Sequence, residues 1–145
     1  EHADNQFVAG FIGSPPMNFV EGTLASNGDG RVFESNGVSL QLPGEAVSAL
    51  EDHADGPITM GIRPEHIRPD SPFVDANPGS AIEAGVDVVE PLGSEILVYL
   101  TVGEHTLIAK IEPTVMPRVG DTMDAALDLE HVHFFDAETG DSLTD

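Results

Sequence analysis

The 145 residues carry 26 acids against five bases, a formal net charge of −21, with 40% hydrophobic residues and no cysteine. Disulfides and thiolate chemistry are excluded. Nucleic acid is not an expected partner, because clustered Lys and Arg are what hold a phosphate backbone. The hydrophobic share suffices for one core of ordinary size, and no run of about 18 apolar residues is present to span a membrane as a helix.

A surface this acidic repels itself in dilute buffer and opposes compaction. At about 1 M salt the Debye length falls to ~3 Å and most of that repulsion is screened. The bases are Arg31, Arg63, Arg68, Lys110 and Arg118, so lysine occurs once. The expected setting is a high-salt cytoplasm of the kind found in halophilic archaea; an ordinary acidic domain is the plainer alternative.

Phe7 to Phe19 (FVAGFIGSPPMNF) is the longest apolar stretch. Phe7, Val8, Phe11 and Ile12 share one helical face, Gly13 stands where a C-cap would, and Pro15 and Pro16 stop the helix. Residues 1–16 therefore read as a linker helix and turn. The start at Glu1, without Met, reads as a segment cut from something longer, and no signal peptide is visible.

Met17 to Ser26 reads as a strand, Asn27-Gly28-Asp29-Gly30 as a turn, and Arg31 to Ser35 as the next strand. Asn36-Gly37 is a second tight turn before Val38 to Leu42, which completes a meander. Glu45 to His53 predicts a short helix with an acid in its first turn. Ile58 to Ile62 is a strand, and Asp70 to Ser80, with its prolines and glycine, reads as a loop. Ala81 to Glu90 places Ile82, Ala84, Val86 and Val88 on one strand face. Glu95 to Val102, Thr106 to Ile111, Thr122 to Leu129 and His131 to Phe135 are the remaining strands. The fold class is all-β: an OB-like barrel or sandwich of about nine or ten short strands with one or two short helices. The 70–80 loop divides it into units at roughly 17–69 and 81–145.

Catalytic signals are sparse. No GxxxxGK[ST] phosphate loop or GxSxG elbow is present, so no catalytic residue is assigned. His131, His133 and Asp136 (HVHFFD) form a candidate metal site if alternate strand residues share a face; they also read as edge histidines beside a turn. Arg63 in Arg63-Pro64-Glu65-His66 reads as a structural base at a strand end. The acid clusters around Glu51-Asp52, Asp87, Glu90 and Glu130 lack calcium-loop spacing and read as a solvated surface.

Four pieces, Phe7–Phe19, Met60–Ile67 (MGIRPEHI), Val88–Leu97 (VVEPLGSEIL) and His133–Gly140 (HFFDAETG), together resemble the C-terminal domain of the sugar-importer ABC ATPases. This is the family of the maltose and glycerol-phosphate importers, and the pieces cover essentially the whole chain. The resemblance implies a transport-associated OB (TOBE-type) domain following an ATPase domain, which would carry the ATP and Mg. The β domain itself implies no cofactor. It would hold the ATPase subunits together as a homodimer, act on membrane permease subunits indirectly, and in some members receive a regulatory protein. By resemblance, Phe11, Gly61 and Gly93 are the contact positions; the plainer reading makes Phe11 core and the glycines bulges. The implied location is the cytoplasmic face of the cell membrane. The chain departs from the family chiefly in charge, which favours self-pairing over a regulator suited to a less acidic surface. The alternative is a small-solute or oxyanion module of the molybdate-binding OB type, holding its ligand with backbone amides and hydroxyls.

Overall fold

A computed structural model describes residues 17–28, 30–112 and 117–143. Ten strands form two antiparallel sheets around one core. The first contains β1 (Asn18–Asn27), β2 (Gly30–Ser35), β3 (Val38–Gln41), β4 (Gly56–Ile62) and β10 (His133–Asp136), in the order β10-β4-β1-β2-β3. The second contains β5 (Ile67–Arg68), β6 (Ala81–Pro91), β7 (Ile96–Val102), β8 (His105–Ile111) and β9 (Thr122–Leu127), in the order β5-β9-β6-β7-β8. Strand-rich, with two short α-helices among the described residues, this is the expected OB-like all-β architecture.

The local chemistry explains the strands. In β3, Val38 and Leu40 point into the core while Ser39 faces solvent. In β1, Val20 and Leu24 are buried with Gly22 between them. A Cβ on Gly22 would lie 2.6 Å from the Phe33 ring, so the missing side chain is the space Phe33 fills. Phe33 and Phe134 then meet at 6.0 Å between ring centroids, joining β2 to β10. β7 buries Ile96, Val98, Leu100 and Val102 along one face, opposite Leu107, Ala109 and Ile111 of β8.

Four expectations are corrected. Val88 does not share the inner face of Ile82, Ala84 and Val86. A bulge between Val86 and Val88 shifts the pairing with β7, and Val88 is 43% exposed. The 70–80 stretch is not irregular: it holds helix α2 (Ser71–Ala76) and a 3-10 turn at Pro78–Ser80, each with proline in its first turn, where the missing N–H costs nothing. Helix α1 is Gly44–Ala49, shorter than the expected 45–53: the backbone leaves helical geometry at Leu50, and beyond it the carbonyls of Leu50 and His53 accept from Arg31. Finally, β10 lies in the first sheet, with Phe134 opposite Met60, so the two units exchange strands. The predicted helix within residues 1–16 lies outside the described residues.

Polar and backbone contacts tie the sheets together, among them a bond between Ser35 of β2 and His105 of β8. Asn18 at the start of β1 bonds the backbone of Ile108 in edge strand β8. The β2–β3 turn packs backbone to backbone on the β7–β8 turn, with Gly37 against Gly103. No described helix is long and apolar enough to cross a membrane.

Candidate functional site

The residues singled out from sequence do not converge on one site. Phe11 lies outside the described residues. Gly61 sits in β4 between Phe19 of β1 and His133 of β10. A Cβ there would meet Met17 Sδ at 2.5 Å and Phe135 at 2.8 Å, so the close approach to Gly61 is made by its own chain. Met17, Phe19 and Phe135 form a small second apolar cluster on that face. Gly93 occupies the β6–β7 turn with φ +81°, and nothing stands within 4 Å of its Cβ position. Its neighbour Leu92 is 48% exposed, and Val88 on the preceding β6 is 43% exposed. This end of the second sheet is thus open, and exposes Val88 and Leu92 among the carboxylates Asp87 and Glu90.

His131, His133 and Asp136 are separated in role. His131 lies before β10, so strand alternation does not align it with His133. Its Nδ1 is 2.9 Å from Asp128 Oδ2, and its ring stacks on His66 at 4.5 Å. His133 faces Phe135 at 6.5 Å. Asp136 Oδ1 accepts the backbone N–H groups of Thr139 (3.0 Å) and Glu138 (2.9 Å), which hold its carboxyl below the ordinary value. Among the described residues, no group of three or more potential ligands is placed to hold a metal.

A cleft of about 440 Å³ lies at the seam where β5 and β8, the edge strands of the second sheet, approach each other. Ile67, Pro69 and Ile111 line it beneath a charged rim of Glu65, Asp70, Glu95 and Glu112 with Arg68 and Lys110. The two cations already have partners. Arg68 donates to both carboxylate oxygens of Asp70 and lies 4.0 Å over the Phe73 ring. Lys110 is 3.9 Å from Glu95. An anion entering here meets four carboxylates and no unengaged cation on the rim.

Several organising residues carry little sequence signal. Arg31, rather than Arg63, is the partly buried structural base: it donates to Leu50 O, His53 O and Asp55, each at 2.7–2.8 Å. Among the described residues Arg63 makes no ion pair. Bonds from Arg31 and then Ser26 hold Asp55 below the ordinary carboxylate value. Burial, then the nearby His131, pushes His66 below the ordinary imidazole value.

Fold and cleft define the class: a strand-built OB-type domain with a charged seam between its edge strands and no assembled catalytic constellation among its described residues. Two family models divide the chain, the MalK OB fold domain over residues 13–67 and the TOBE domain over residues 60–135. The second matches just over half of the chain, and the chain belongs to the TOBE domain family. It is 40% identical over 137 residues to the ABC transporter ATP-binding protein YcjV of Escherichia coli O6:H1, covering 93% of this chain and 36% of YcjV. It is 36% identical over 141 residues to the oligosaccharides import ATP-binding protein MsmX of Bacillus subtilis, covering 96% and 38%. It is 36% identical over 140 residues to the sulfoquinovosyl glycerol transport ATP-binding protein SmoE of Agrobacterium fabrum, covering 97% and 37%. The chain thus spans little more than a third of the length of these relatives. The solved structure of the cytoplasmic molybdate-binding protein ModG, with molybdate bound, superimposes with a TM-score of 0.62 at 14% identity, covering 81% of this chain and 94% of ModG. That likeness bears on the fold.

Proposed function

We propose that this domain is the dimer-stabilising and regulatory portion of the ATP-binding subunit of an ABC importer for sugars or related solutes. The observation that carries the reading is the match of nearly the whole chain to importer ATP-binding proteins such as MsmX and SmoE. On this reading ATP and Mg belong to a separate ATPase domain of the parent chain, on the cytoplasmic face of the membrane beside the permease subunits. The domain contributes no reaction of its own. It pairs with its copy in the second subunit and so couples two motors.

The exposed Val88 and Leu92 around the open Gly93 turn support a partly apolar pairing that depends on salt, because Asp87 and Glu90 beside them repel their copies. Sedimentation of the chain at molar and millimolar KCl tests this. Dimers that persist at molar salt and dissociate at low salt are expected. A monomer at every salt and protein concentration overturns the dimer-stabilising role. Strengthened pairing in the complete subunit when ATP is added is the expected companion result.

A second reading, an oxyanion-binding module, has the ModG fold likeness in its favour. The seam cleft argues against it, because its two cations are engaged and carboxylates surround them. Calorimetry with molybdate separates the readings: the importer reading expects no binding heat.

A further inference from the structure

We propose that the stacked His66 and His131 rings are an acid-sensitive latch across the two crossovers that join the sheets. The strand order makes the chain change sheets twice. It leaves the first sheet through the 3-10 turn Pro64–His66, between β4 and β5, and returns through residues 128–132, between β9 and β10. His66 ends the first crossover and His131 lies in the second. Their rings are 4.5 Å apart and 17° from parallel. The backbones are tied at the same place, since Asp128 N–H donates to His66 O at 2.9 Å.

The stack suits neutral rings. Two imidazolium rings at this separation repel each other, and His66 Nδ1 is buried without a hydrogen-bond partner. The surrounding charges are mixed. Glu65 and Asp128 favour a proton on His66, while Arg63 and His131 oppose it. β8 packs against the 3-10 turn and brings Lys110, which shares the seam cleft with Glu65. The histidine of β8, His105, lies 2.7 Å from Ser35. Glu130 adjoins His131, and His133 on β10 faces Phe135.

Burial first, and His131 second, hold His66 below its ordinary value of 6.5. The unfolded chain therefore takes up this proton before the folded one does. The stabilisation is complete above pH 6.5 and is lost as pH falls through the folded value. The element that loosens is β10, which follows directly on the second crossover. Its release would unpair β4 beside Gly61 and uncover Phe134 and Phe135.

The test is an NMR titration of the imidazoles in the full chain at molar KCl, with amide protection of β10 measured at each pH. His66 is expected to titrate below 6.5, and its midpoint to rise in His131→Gln. The protection factors of β10 amides are expected to fall as His66 takes its proton. In His131→Phe, which keeps a ring that cannot charge, that fall should be smaller than in the wild type, because the repulsion between two charged rings is gone. A His66 midpoint at the ordinary value, unmoved by His131→Gln, overturns the latch. So does β10 protection that stays level through the titration. His131 is more than half exposed and tolerates substitution, and the wild-type titration decides the matter even if a variant fails to fold.

Discussion

The Asn18 carboxamide brackets the peptide of Ile108, accepting its N–H at 2.8 Å and donating to its C=O at 2.9 Å. The same amide nitrogen also donates to Ile62 O at 3.2 Å. A side chain here does what a neighbouring strand would do: it satisfies edge strand β8 and pins it to β1 and β4. Asn18 is 8% exposed, so water does not readily replace it. Asn18→Ala leaves the Ile108 N–H and C=O unpaired and should cost about 1–3 kcal/mol. Asn18→Asp removes the donor and turns a carboxylate toward two carbonyls, and should cost at least as much at neutral pH. Urea unfolding at fixed high salt measures both; an Asn18→Ala midpoint equal to wild type would show that the bracket contributes nothing.

Arg31 should be irreplaceable by lysine. Its guanidinium fork reaches two carbonyls past the end of α1 and one carboxylate while only 13% exposed. Lysine offers a point charge without that fork. Arg31→Met is expected to lose about 2–4 kcal/mol, and Arg31→Lys to recover less than half of it. The acid limb of stability should change as well. Asp55 is held below its ordinary value of 3.8, so its stabilisation is present above that pH and lost as pH falls through the folded value. Asp136 behaves with the same sign. Arg31→Met should flatten the Asp55 part of this limb and leave the Asp136 part in place.

The packed turns give a prediction with its own control. Gly37 (φ +84°) and Gly103 (φ +60°) adopt conformations that side chains rarely take, and a Cβ on Gly37 would lie 2.6 Å from Gly103 Cα. Backbone faces backbone, so nothing can swing aside. Gly37→Ala should cost about 2 kcal/mol or more, combining strain with overpacking. Gly93→Ala has a similar φ of +81° and open space around it. It should cost only the strain, about 1 kcal/mol. Equal losses at the two positions would mean the turn–turn contact is loose.

Much of the fold was legible because the strands announce themselves locally. The alternation of Val38 and Leu40 and the Asn36-Gly37 turn need no distant partner to be read. What was not legible depends on pairing or phase. Nothing near Asp87 signals a bulge, so Val88 was expected inside. The choice of β4 as the partner of β10 is made by Met60 and Phe134, 74 positions apart in sequence, which local periodicity does not record. Prolines that suggested a loop at 70–80 instead open short helical turns. Asn18 and Arg31 look like ordinary strand-end and strand residues until the second sheet and α1 are placed against them. Of the contact positions, Gly61 proved closed by Met17 and Phe135, while Gly93 is open.

Salt dependence follows from the charge and can be checked on the wild-type chain. Among the described residues the cation–carboxylate pairs are few: Arg31–Asp55, Arg68–Asp70, Lys110–Glu95 and the histidine pair His131–Asp128. Salt weakens exposed pairs, but each is worth only about 0–1 kcal/mol. Screening a formal charge of −21 acts the other way and should dominate. The melting temperature is therefore expected to rise from millimolar to molar KCl. Removing two charges from the exposed part of β6 with Asp87→Asn and Glu90→Gln should raise stability in dilute buffer more than at molar salt, because only the unscreened chain feels their repulsion. A melting temperature that falls with KCl would mean that attraction, not self-repulsion, governs this surface. The double variant would then be destabilised most in dilute buffer.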